Sequence, residues 1–301
     1  MQNIFEGGHF TDAAREAKFK PHTILQLLIF VAVFYISQIV MVVPLFAAFF
    51  IFGLMGQMPD DSTQIAIQLL ITVFPAAISI IYCRFIERRS IASMGLVKRN
   101  CIRDYAIGLG IGAAEFVLCV LICYAAGAVS YIGTDLNNYG VFVVICIGWI
   151  LQGAEEEIVC RGFLMGTMAS RLPLWAAVLI NSLFFSVMHI FNDGFNPVVL
   201  VNLTLFGIFM SVMAIRFDSI IPCCAAHSIW NLVQGNIFGL PVSGIMTGPS
   251  VFRFQLAENM DLWTGGVFGI EGAISESIII LSLTCALLFI PKRKKKTENA
   301  Q

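Results

Sequence analysis

The sequence predicts an all-α, polytopic membrane protein: about eight transmembrane helices around an intramembrane polar cavity. Three observations predict it. The chain of 301 residues is 58% hydrophobic and only 12% charged, about half the charged share of a soluble domain, and its mean hydropathy is +0.85. Its apolar residues fall into repeated runs close to the ~20 residues that cross a bilayer. The ionisable residues inside those runs are few and clustered, as expected of groups that cost roughly 2.5–3.5 kcal/mol each at a bilayer centre.

The runs lie at roughly 24–55, 64–85, 104–132, 140–168, 172–191, 197–215, 220–238 and 275–290. The first is long enough to tilt or kink, and Pro44 is the kink site. The last is short and is followed by Pro291 and a basic run over 292–296. Turn chemistry separates spans at 56–61 (Gly-Gln-Met-Pro-Asp-Asp), 134–138 (Thr-Asp-Leu-Asn-Asn) and 192–197 (Asn-Asp-Gly-Phe-Asn-Pro). No internal repeat, low-complexity tract or soluble domain is visible. The chain therefore divides into a polar tail (1–23), a transmembrane domain (24–290, motif core 140–275) and a basic tail (291–301). The first 22 residues are polar and mixed, unlike a cleavable signal peptide, so targeting falls to the first span.

Orientation follows from the cations. With the N-terminus inside, 17 of the 18 Lys and Arg residues fall at cytoplasmic ends, and only Arg253 lies outside. Outer loops hold Asp60, Asp61, Asp135 and Asp193 instead. Both termini are expected in the cytoplasm of a multi-pass protein of the cell membrane, with the tail over 292–296 touching anionic lipid. A net charge of -1 points away from nucleic acid. The nine cysteines form no C-x-x-C pair, and read as reduced, buried apolar residues.

The fourth span contains Glu155, Glu156, Glu157 and Arg161, the fifth His189, the seventh His227 and Asn231, and the third Glu115. His9 and His22 lie in the polar tail. Glu157 and Arg161, four apart, share a helix face and can pair. Glu156 projects about 100° away and is free to face a cavity. Phe185 and His189 also stand four apart, as do His227 and Asn231. Three polar stripes on apolar helices satisfy one another by converging inside a bundle. A carboxylate beside an imidazole in a dry pocket suits general-base chemistry. A second imidazole and a carboxamide suit an oxyanion. No Gly-x-Ser-x-Gly is present, and activated water is a better nucleophile than any Ser or Cys. Against this stand plainer readings: a structural Glu157–Arg161 pair, and histidines acting as interhelical hydrogen-bond glue. Glu115 has no partner that the sequence identifies.

At these residues the chain resembles the CAAX-protease and bacteriocin-processing (CPBP) family of intramembrane proteases, in its bacterial branch. The Glu-Glu-x-x-x-Arg motif reads Glu156-Glu157-Ile158-Val159-Cys160-Arg161, Phe-x-x-x-His reads Phe185 to His189, and His-x-x-x-Asn reads His227 to Asn231. The stretch 264–272 resembles the segment that bacterial members carry before the last span. The resemblance covers roughly 80–275 and implies eight helices and proteolysis of a peptide or membrane-protein substrate within the membrane. By carry-over, Glu156 and His189 would activate water, His227 and Asn231 would hold the oxyanion, and Glu157 and Arg161 would support the site. Cys160 stands where bacterial members often have Phe, and is expected to pack rather than react. The family is commonly labelled metalloprotease. Glu156, His189 and His227 would be the ligands of a divalent ion such as zinc, but no His-Glu-x-x-His is present, and metal-free glutamate catalysis is the expectation. The resemblance also favours a cavity open to the cytoplasm. Two other functions compete: a non-catalytic bacteriocin-immunity or membrane scaffold protein, and a transporter whose polar stripes line a path, although no inverted repeat is visible. Residue counting leaves one mismatch: from the inner boundaries, His189 falls about ten residues deeper than His227.

Overall fold

In lipid, backbone groups have no water to bond, so apolar runs fold as helices whose hydrogen bonds are internal. The structure, a computed structural model, describes residues 8–290. The basic tail over 292–296 lies outside the described residues. The helices in chain order are α1 (His9–Ala14), α2 (Thr23–Leu54), α3 (Asp61–Ile71), α4 (Val73–Ile81), α5 (Cys101–Ala125), α6 (Tyr139–Glu157), α7 (Gly166–Ala169), α8 (Leu174–Val187), α9 (Pro197–Phe217), α10 (Ile221–Leu232), α11 (Asp261–Thr264) and α12 (Ile274–Phe289). Two strands, β1 (Val129–Asp135) and β2 (Ser250–Leu256), pair antiparallel. Three π-helical stretches extend helices: Tyr82–Ile86 after α4, Ile158–Met165 after α6 and Val233–Ile237 after α10.

The predicted runs are largely helical, and turn residues do the capping. Asp60 accepts from Thr63 N at 2.7 Å to start α3, and hydrogen bonding from the Thr63 side chain, with that backbone bond, holds its carboxyl below the usual range. Asn138 accepts from Val141 N at 3.1 Å to start α6. Asn196 accepts from Val198 N and Val199 N ahead of Pro197 at the start of α9. Among the described residues four helices are long and apolar enough to cross a membrane: Thr23–Leu54, Asp61–Ile86, Cys101–Ala125 and Pro197–Phe217. The most apolar stretch of α2 is 11% buried and that of α9 is 67% buried, so α2 is peripheral and α9 central. Helix α10 packs between α5 and α6, α8 packs on α9, and α12 packs on α9 and α5.

Two expectations need correction. The third span does not run to residue 132. It ends at Ala125, where Gly127 takes a positive φ of 74°, and the chain continues into β1. A two-stranded sheet separated by more than a hundred residues leaves no local hairpin signal, which is why sequence reading missed it. The depth mismatch between His189 and His227 is also resolved. Helix α8 is 14 residues long, and His189 lies beyond its end, in a turn where its N–H reaches Ser186 O at 3.1 Å. Helix α10 does not start at the surface. Ser219 and Ile220 are fully buried beneath residues 8–14 and 91–95, with Ile220 N bonded to Gly95 O at 3.0 Å and Phe10 N to Asp218 Oδ1 at 3.1 Å. Both histidines line one cavity.

The bundle has two ends with separate hydrogen-bond networks. At the basic end Lys18 N donates to Glu87 O at 2.9 Å, and Arg89 pairs with Glu87 at 2.5 Å and donates to Gly162 O at 3.1 Å. At the other end Asn192 Nδ2 donates to Ser243 O, Gly244 N to Phe268 O and Ala257 N to Ala128 O, each at 2.9 Å.

Candidate active site

Helix α6 delivers the glutamates. Its hydrogen-bond register widens to the π form at Ile158, directly after Glu157, the kind of local bulge often found at functional sites. Glu157 points into the protein: its Oε1 accepts from Arg161 Nη1 at 2.8 Å and lies 3.0 Å from His227 Nδ1. Arg161 is fully buried, donates to Gly207 O at 3.3 Å, and sets its guanidinium 4.9 Å above the Phe185 ring. Glu156 turns the other way, as the helix geometry predicts. Its Oε2 sits 3.5 Å from His227 Nε2 and its Oε1 accepts from Gln152. His227 is therefore an imidazole flanked by a carboxylate at each nitrogen.

The other motif residues converge on the same space. A cavity of about 280 Å³ is lined by Glu156, His189, His227 and Asn231 together. The sequence-derived set is brought to one wall-to-wall site, while Glu157 and Arg161 stand behind it. His189 Nδ1 lies 2.9 Å from Phe185 O, which leaves Nε2 as the nitrogen free to act. The Phe185 ring touches Arg161, His189, Phe206 and His227, so the Phe of the second motif is the packing centre of the site. A second cavity of about 240 Å³ shares Glu156, His189 and Gln152 and reaches Glu155, and Phe34 and Gln38 of α2.

Sequence reading missed Gln152, Phe206, Ser243 and Glu271. Gln152 bonds both Glu156 and Asn231, accepting from Asn231 Nδ2 at 2.9 Å. Its signal was available: it stands four residues before Glu156 on the same helix face. Glu271 closes the far wall, accepting from Ser243 N at 3.0 Å and Ser243 Oγ at 2.8 Å. Burial pushes the Glu271 carboxyl up to about 7. Asn202 fixes this wall by donating to Glu271 O and Ala273 O at 2.9 Å. Those contacts link residues 28 to 71 apart in sequence, and no spacing rule encodes them. Glu115 is buried with neither carboxylate oxygen hydrogen-bonded and does not line the cavity. Cys160 is fully buried, with its side chain in the apolar core.

Among the described residues no group of three or more His, Cys, Asp and Glu side chains is arranged to hold a metal ion. His227 already faces Glu157 with one nitrogen and Glu156 with the other.

Fold and site together define a polytopic helical membrane protein with a carboxylate–imidazole cavity inside the bundle. Residues 138–233 match the family model described as "Rce1-like: Type II CAAX prenyl endopeptidase Rce1-like". The resemblance drawn from the motifs is thus borne out over the segment that carries all three, about a third of the 301 residues. The match supports an intramembrane endopeptidase of the CAAX-protease type, with a peptide or protein substrate and a membrane setting. No curated protein and no solved structure matches the chain.

Proposed function

We propose that this chain is an intramembrane endopeptidase that hydrolyses a peptide bond with water activated by Glu156 and His189. The observation that carries the reading is the convergence of Glu156, His189, His227 and Asn231 on one cavity. Glu156 takes the proton as water attacks the scissile carbonyl. The oxyanion is held by the His227 Nε2–H and by the Asn231 Nδ2 hydrogen that Gln152 does not use. Glu156 then returns the proton to the leaving nitrogen as the C–N bond breaks. Glu157 holds His227 through Nδ1 and is itself held by Arg161. No step requires a metal ion. The termini and the basic loops lie on the cytoplasmic side of the cell membrane.

The test uses the purified full chain in proteoliposomes with a peptide library read by mass spectrometry. Wild type is expected to produce cleavage that survives a strong chelator, and His189→Ala and His227→Ala are expected to abolish it while remaining inserted. Full activity in either variant removes that residue from the mechanism. Loss on chelation that zinc restores overturns the metal-free step. A scaffold or immunity role is the second reading, and an in vivo function that persists in Glu156→Gln would favour it.

A further inference from the structure

The cavity extends from the middle of the bundle toward one end. Its outermost lining comes from the end opposite the basic loops, namely the turn after α8 (His189, Asn192), the start of α9 (Asn202) and the loop after α10 (Ser243, Ile245, Thr247), and it reaches inward to Glu156 near the end of α6 and Phe206 at the middle of α9. Phe191 is 92% exposed beside Asn192, and Met246 is 58% exposed beside Ile245. The basic end is closed by the layer of residues 8–14 and 91–95 over Ser219 and Ile220.

Charge divides along the same axis. Lys18, Lys20, Arg88, Lys98, Arg99 and Arg171 belong to the closed end, whereas Asp60, Asp61, Asp135, Asp193, Glu258 and Asp261 belong to the open end, with Arg253 its one cation among the described residues. Cytoplasmic loops keep the Lys and Arg excess. The cavity lining contains Glu156, Glu271 and Glu276 and no Lys or Arg.

We propose that the site opens on the extracytoplasmic face, and that its substrate is a polypeptide segment presented at the outer leaflet with neutral or cationic side chains flanking the scissile bond. This rests on the hydrolase reading above and replaces the cytoplasmic opening that the family resemblance favoured. An acidic flank would add a further acidic side chain to a wall that already holds Glu156, Glu271 and Glu276 and offers no Lys or Arg to pair with it, whereas a cationic flank meets acidic partners there.

The experiment labels intact cells that make the full chain with a membrane-impermeant maleimide, after Cys101, Cys146 and Cys285 are replaced by Ser to silence the thiols that are not buried. Met246→Cys is expected to label before permeabilisation and Lys98→Cys only after it. Peptides added outside right-side-out vesicles are expected to be cleaved in a Glu156-dependent way, at least ~10-fold faster with Lys than with Glu beside the scissile bond, a factor equal to about 1.4 kcal/mol. Labelling of Met246→Cys only after permeabilisation overturns the placement whatever the activity. Exterior labelling with cleavage confined to inside-out vesicles, or equal rates for Lys and Glu flanks, overturns the substrate assignment. Exterior labelling with no Glu156-dependent cleavage in either orientation sinks the hydrolase reading and the substrate with it, and leaves the placement of the mouth standing.

Discussion

Gln152 shows how much of the site hangs on one amide. It bonds Glu156 with one end and Asn231 with the other, so it fixes the base and an oxyanion donor relative to each other. Gln152→Ala is expected to lower kcat by ~10²-fold, the scale of a small misplacement of catalytic groups, with KM and melting temperature nearly unchanged. A drop in stability with normal kcat would instead make Gln152 a packing residue. Glu157 carries the opposite kind of load. Its loss leaves Arg161 buried without its carboxylate, and breaking such a pair costs ~3–5 kcal/mol. Glu157→Ala is expected to melt far earlier in detergent than wild type; an unchanged melting curve would contradict the pairing as a stabilising contact. Glu271 adds a pH dependence. With its carboxyl raised to about 7, the folded protein holds a proton that the unfolded chain, near the ordinary ~4.3, has released. Stability therefore falls as pH rises through that window and the loss is complete above about 7. The thermal midpoint of wild type should decline over that range, and that of Glu271→Gln should be flatter.

At the scale of elements, the close contact of α5 with α10 places His227. A Cβ on Gly108 would lie 2.1 Å from Pro222 O, and one on Gly112 would lie 2.2 Å from Ala226 O. These are backbone contacts that no rotamer change relieves, and Ala226 is the residue before His227. Gly112→Ala is expected to push α10 away, lower thermal stability and reduce cleavage together; a variant as stable and active as wild type would show that α10 is not held there. The helices themselves were legible because lipid leaves apolar runs one folding option, and the capping residues Asp60, Asn138 and Asn196 mark their starts. The motif residues were legible because polar side chains four apart on an apolar helix have few places to go. The far wall was not. Strands β1 and β2, the Ser243–Glu271 contact and the Asn202 bonds to the 271–273 backbone join distant segments through ordinary loop residues. The recessed start of α10 was equally hidden, since burial of Ser219 and Ile220 depends on residues 8–14 and 91–95.

Across the whole molecule, the division of charge and the position of the cavity give the same axis. The sequence alone shows the segregation of Lys and Arg, but not which end holds the cavity, because motif spacing is silent about depth. The structure supplies that depth: a closed, cross-bonded layer covers the basic end, and the cavity reaches from mid-bundle toward the other. The central claim is that Glu156 is the base of a water-activated peptidase. The most direct test is cleavage by purified Glu156→Gln in proteoliposomes beside wild type, with melting curves taken on both. The account predicts a rate lower by at least ~10²-fold, the usual scale of general-base catalysis, in a variant that inserts and melts like wild type. Wild-type cleavage by Glu156→Gln would contradict it and remove the carboxylate from the reaction.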